Sequence, residues 1–140
     1  MVGVLLISHG NMASGIKSSL NMFFGDEIPQ LDTLCLSENT SPESFGEEIG
    51  KKIKELDTGD GVVVFADLIG GTPCNQAFRY ISSKVVLIGG MNLPVIMEFL
   101  GNRLDEIDLS TFDFNSLLDT GRSALNKCEL IVSNDDDEEF

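Results

Sequence analysis

Hydrophobic positions along the chain alternate between short continuous runs and stretches spaced at three and four residues. The run Val2-Gly3-Val4-Leu5-Leu6-Ile7 is short and aliphatic, the pattern of a strand buried on both faces of a parallel sheet. It ends at Ser8-His9-Gly10. From Met12 the period changes, because Ile16, Leu20 and Phe23 recur at spacings of four and three while Lys17, Ser18 and Asn21 fall between them. This predicts an amphipathic helix with those three residues on its apolar face, closing at Gly25.

Leu31 to Leu36 reads as a second, weaker strand. Ser41-Pro42-Glu43 has the order of an N-cap, a first-turn proline and an acid that complements the helix dipole, and Phe45, Ile49, Ile53 and Leu56 follow on one face, predicting a second helix. Gly61-Val62-Val63-Val64-Phe65-Ala66 is another buried strand, running into Asp67-Leu68-Ile69-Gly70-Gly71-Thr72-Pro73. There Thr72 is expected to cap and Pro73 to open a third helix reaching about Ile81. Lys84 to Ile88 forms the fourth strand and ends at Gly89-Gly90; Asn92-Leu93-Pro94 starts a helix containing Ile96, Met97 and Leu100. A last helix is expected from about Phe114 to Lys127, with Glu129 to Ser133 as a terminal strand that lacks an evident partner.

Strands alternating with helices imply an α/β fold, an open doubly wound and mostly parallel sheet of four strands covered on both faces. At 140 residues the chain suits one domain, 1–134, followed by an acidic, solvated tail at 135–140. Nine basic residues against 23 acidic ones give a net charge of −14. That opposes nucleic-acid binding and favours a positively charged protein partner. No apolar stretch is long enough for a membrane span and no export signal is visible, so a cytoplasmic location is expected. Cys35, Cys74 and Cys128 are widely separated, without the spacing of a metal or redox pair, and read as reduced thiols.

Ligands of such sheets bind beyond the carboxyl ends of the strands, where neighbouring connections leave on opposite faces. The first strand delivers His9, the only histidine of the chain, and the third delivers Asp67. If these strands are neighbours, about 4.8 Å apart, the two side chains can meet. A carboxylate holding one imidazole N–H leaves the opposite nitrogen as a nucleophile and stabilises the cation that forms when the ring attacks phosphorus. The Gly70-Gly71-Thr72 turn, opening a helix, offers N–H groups to arriving phosphoryl oxygens. Singly, each element has an ordinary structural explanation; their convergence at strand ends points to phosphoryl chemistry. No metal site or cofactor is called for, since one histidine and no paired cysteines make a poor ligand set. Cys74 has no second histidine to activate it, and Arg79 and Arg122 lie in helical segments suited to surface salt bridges.

Ser8-His9-Gly10, the segment Asp67 to Pro73, and Gly90-Met91-Asn92-Leu93-Pro94 together resemble the IIA components of mannose-type sugar phosphotransferase systems, with Asp119-Thr120-Gly121-Arg122 as a further match. The resemblance implies a phosphotransferase that accepts phosphate from the phosphohistidine protein HPr on Nε2 of His9, with Asp67 orienting the ring. It passes the group to a IIB protein during sugar uptake and meets the membrane transporter only peripherally. It further implies a homodimer that exchanges a C-terminal antiparallel strand, a role for which Glu129 to Ser133 is suited. Many relatives carry Thr in place of Ser8 and an aromatic in place of Ile69, and some continue into a IIB domain. A phosphotransfer subunit of a dihydroxyacetone kinase has a similar early histidine but usually Met-Gly-Ser in the third-strand loop. A tetrapyrrole chelatase and a regulatory ligand-binding module are the remaining alternatives.

Overall fold

The structure, a computed structural model, describes residues 1–131. Its sheet contains β1 (Gly3–His9), β2 (Leu31–Leu36), β3 (Val62–Ala66) and β4 (Val85–Gly89) in the order β2-β1-β3-β4, all pairs parallel. The expected adjacency of the first and third strands is present, with Gly3 opposite Val62 and Ile7 opposite Ala66.

Period-two alternation divides the strands' side chains between two cores. Val4, Leu6, Val63 and Phe65 face a layer made by α1 (Met12–Phe24), α4 (Leu93–Asn102) and α5 (Phe114–Ser123). Leu5, Ile7, Val64 and Ala66 face α2 (Pro42–Leu56) and α3 (Thr72–Ala77). Edge-to-face contacts from Phe65 to Phe99 and from Phe99 to Phe112, with ring centroids 6.1 and 5.6 Å apart, fill the first layer. In the second, Phe45, Ile49, Ile53 and Leu56 of α2 are buried as the period predicts. Ser41 caps α2 by accepting from Ser44 N–H, and Pro42 occupies its first turn.

Arg103, at the end of α4, is buried, and its guanidinium donates to the carbonyls of Val2, Pro29 and Gln30. It ties the start of β1 to the loop before β2. Loss of solvent lowers its pKa to about 10.

Several expectations differ from the structure. Phe23 is exposed rather than on the inner face of α1. At 100° per residue, Ala13, Leu20 and Phe24 fall within about 20° of one line while Phe23 lies about 80° away, and burial of Ala13 and Leu20 selects that line. Gly71, not Thr72, is the N-cap of α3, which ends at Ala77 and tightens into a 3-10 turn at Phe78–Tyr80. α5 stops at Ser123 instead of Lys127, because its last buried residues are Leu117 and Gly121 and the exposed Leu125 gives a further turn nothing to pack against. Glu129 to Ile131 pair with no strand of the same chain, and exchange with a second copy is a separate matter. Val132 and Ser133 of the anticipated exchanged strand, and the acidic tail, lie outside the described residues.

Candidate functional site

The connection after β1 leaves on the α1 face and that after β3 on the α3 face, so the ends of these adjacent strands flank the crevice of the sheet. His9 is the last residue of β1. Asp67 follows β3, its N–H donating to Ile7 O at 3.2 Å.

Asp67 Oδ2 accepts two hydrogen bonds from one residue, the backbone N–H of His9 and its ring Nδ1, each 2.9 Å long. The carboxylate therefore fixes both the start of the His9 side chain and its ring. With Nδ1–H directed at Asp67, the lone pair belongs to Nε2. The His9 side chain is 47% exposed, whereas that of Asp67 is 10% exposed. Its other oxygen, Oδ1, is buried without a partner. A negative charge so poorly solvated is stabilised when the neighbouring ring becomes positive.

Gly71 forms the other wall. A Cβ added there would lie 2.5 Å from His9 Cε1 and 3.2 Å from Nε2, so only glycine leaves the ring its place. Gly70 has φ +90, a conformation that favours glycine and lets the loop turn towards the ring. The three turn residues differ in their free donors: Gly71 N–H donates to Leu68 O at 3.2 Å, while Thr72, standing inside the first turn, has no capping duty. Asn75 secures the turn by donating its backbone N–H to Gly71 O at 2.9 Å and its side-chain amide to Gly70 O at 3.2 Å. With only six residues in α3, local N–H groups matter more here than the helix dipole.

Met12, Leu68 and Ile69 are exposed apolar residues on the segments that carry the site. Beyond Ile69 a cleft of about 400 Å³ is lined by Gly89, Gly90, Asn92, Arg122 and Leu125. Asn92 donates to Gly121 O at 2.8 Å, which joins the Gly90-Met91-Asn92 and Asp119-Thr120-Gly121-Arg122 segments. Arg122 is 3.8 Å from Asp119, both exposed. Arg79 stacks on Tyr80 at 5.2 Å and passes Gly46 of α2, a packing role rather than contact with His9. Cys74 is buried; burial raises its thiol pKa, a backbone hydrogen bond donated by Gly70 opposes this and the Asp67 charge adds to it. It is a packing thiol.

Sequence reasoning passed over Ser8. It is completely buried, and its Oγ donates to Gly10 O at 3.1 Å and accepts from Ala13 N–H at 2.8 Å. The available signal was a hydroxyl residue just ahead of a glycine turn and a helix start.

The family model for the fructose IIA component of the PTS system, EIIA-man, matches residues 3–112. The chain therefore belongs to this family, the IIA components of mannose- and fructose-type sugar phosphotransferase systems. It is 28% identical over 105 residues to the PTS system fructose-specific EIIA component of Bacillus subtilis, covering 74% of this chain and 71% of that protein. It is 26% identical over 107 residues to the mannose-specific EIIAB component of Escherichia coli, covering 75% of this chain but only 33% of that longer protein. Among solved structures, the PTS IIA protein associated with the fucose utilization operon of Streptococcus pneumoniae superposes with a TM-score of 0.77 at 27% identity, covering 91% of this chain and 96% of that one. The mannose/sorbose specific IIA subunit from Enterococcus faecalis gives 0.80 at 24% identity, covering 95% and 98%, and shares the fold. Among the described residues no helix is long and apolar enough to cross a membrane.

Proposed function

We propose that this chain is the phosphoryl carrier of its transport system, taking a phosphoryl group from HPr onto Nε2 of His9 and passing it to a IIB protein. The observation that carries this reading is the 2.9 Å contact from Asp67 Oδ2 to Nδ1, which makes Nε2 the nucleophile of a half-exposed ring.

In the accepting step the Nε2 lone pair bonds to phosphorus as the bond from phosphorus to the donor imidazole breaks, and its electron pair returns to the donor ring. The proton on Nδ1 stays in place. Positive charge spreads over the His9 ring, where the buried Asp67 carboxylate opposes it, so no separate base is required. Donation to IIB is the same displacement in reverse. Gly70 N–H and the N–H and hydroxyl of Thr72 bind phosphoryl oxygens, while Gly71 keeps the ring close to them. The apolar rim of Met12, Leu68 and Ile69 gives HPr and IIB a common docking face, which makes their visits alternate. A homodimer formed through the segment Glu129 to Ser133, which would extend the open edge at β4, agrees with the exposed Leu130 and Ile131.

Incubation with radiolabelled phosphoenolpyruvate, enzyme I and HPr tests the reading. One acid-labile phosphate per chain is expected, transferable to a IIB protein and absent from His9→Ala. Equal labelling of His9→Ala would sink it.

A further inference from the structure

We propose that Ser8 is a positioning residue for phosphoryl transfer, aiming the His9 ring by locking the backbone on either side of it. The proposal rests on the reading that His9 carries the phosphoryl group.

Ser8 and Arg103 are the buried polar residues among those described, and Arg103 serves the start of β1 and the loop before β2 rather than the site. Ser8 follows Val4 and Leu6 at spacings of two, and its hydroxyl reaches the first turn of α1, where it takes Ala13 N–H at 2.8 Å. The residue in the capping position of α1, Asn11, makes no side-chain cap. The hydroxyl thus does the work of an N-cap from within the preceding strand. Its own proton goes to Gly10 O at 3.1 Å.

The consequence falls on the residue between. His9 N–H is held by Asp67 Oδ2 at 2.9 Å, Gly10 N–H by Leu36 O at 2.8 Å, and Gly10 O by Ser8. Gly10 itself has φ +54. Removing the hydroxyl releases the Gly10 carbonyl and leaves Ala13 N–H buried without a partner, so the turn must adjust. The ring has little room for that adjustment, because it lies between Asp67 and the bare face of Gly71. A small rotation at Gly10 therefore redirects Nε2 and loosens the Nδ1 bond.

The experiment compares Ser8→Ala, Ser8→Thr and Ser14→Ala in the full chain. Ser14 bonds Asn11 O at 3.0 Å from an exposed position in the same helical turn and serves as the control. Two quantities are read below the melting temperature of each variant: nitrogen NMR of the His9 imidazole, and the rate of transfer from phosphorylated HPr. Ser8→Ala is expected to shift the ring from a single Nδ1–H tautomer towards a mixture and to slow transfer about tenfold or more. Ser8→Thr, which keeps the hydroxyl, and Ser14→Ala should retain both properties. A folded Ser8→Ala with unaltered imidazole spectrum and rate would reduce Ser8 to a helix cap and overturn the proposal, as would equal losses in the Thr variant. The imidazole spectrum needs no phosphoryl donor. Failure of the wild-type protein to accept phosphate would therefore count against the carrier reading, while an unchanged spectrum counts against Ser8.

Discussion

Gly71→Ala separates the position of the His9 ring from the stability of the fold. The new methyl carbon would stand 2.5 Å from His9 Cε1, whereas carbon atoms rest about 3.5–4.0 Å apart, so the ring must retreat by roughly 1 Å. The backbone does not object, because Gly71 has φ −84 and ψ 166, values open to alanine. The obstacle is the end of a half-exposed side chain, so the clash is relieved by displacing the ring towards solvent rather than by moving the backbone. Loss of glycine as N-cap and the lower entropy of the unfolded chain act in opposite directions, leaving a net stability change within about 1 kcal/mol. Transfer should suffer far more, since a displacement of about 1 Å can cost roughly 100-fold. Single-turnover transfer from phosphorylated HPr, set beside urea unfolding, measures both. Wild-type transfer by a folded Gly71→Ala protein would refute the claim that the ring is held in a slot between Asp67 and Gly71.

Asp67→Asn should keep the fold but lose the charge that opposes the imidazolium, slowing phosphoryl transfer by about 100-fold or more, as measured by single-turnover kinetics; a rate within threefold of wild type, on the order of 0.6 kcal/mol, would remove Asp67 from the mechanism. Arg103→Ala should cost about 2–4 kcal/mol in urea unfolding, because the buried carbonyl of Val2 and the partly buried bonds to Pro29 and Gln30 lose a charged donor. The imidazole spectrum of His9 should not change, since Arg103 contacts the start of β1 and His9 stands at its end. Asp32 gives a pH dependence. Although desolvation opposes it, the Lys52 contact at 2.7 Å leads the influences that hold its pKa below 3.8. A depressed acid pKa adds stability above the unfolded value that is lost as pH falls through the folded one, so part of the stability should disappear below about pH 4 and be missing at neutral pH in Asp32→Asn. Unfolding curves across that range check the sign.

The sheet was legible because its strands are buried on both faces and so appear as unbroken apolar runs, and α2 because Ser41, Pro42 and a regular apolar stripe agree. His9 and Asp67 could be paired because strand ends are where such sheets expose chemistry. Features set by close approach left no periodic trace. The slot at Gly71 depends on a ring 62 residues away in sequence, and glycine in a Gly-Gly turn looks the same whether it shapes the backbone or makes room for a neighbour. Thr72 reads as a cap because it precedes Pro73, yet the bond from Asn75 N–H to Gly71 O starts the helix one residue earlier. That shift frees the hydroxyl from capping. Phe23 shows the remaining ambiguity, since α1 offers two apolar lines and only packing against the sheet chooses between them.

The most direct test of the carrier mechanism is the site of phosphate attachment. Phosphorus and nitrogen NMR of the chain phosphorylated through HPr should show one phosphoryl group bonded to Nε2 of His9, with the proton retained on Nδ1 beside Asp67. Attachment to Nδ1, or to any residue other than His9, would contradict the account.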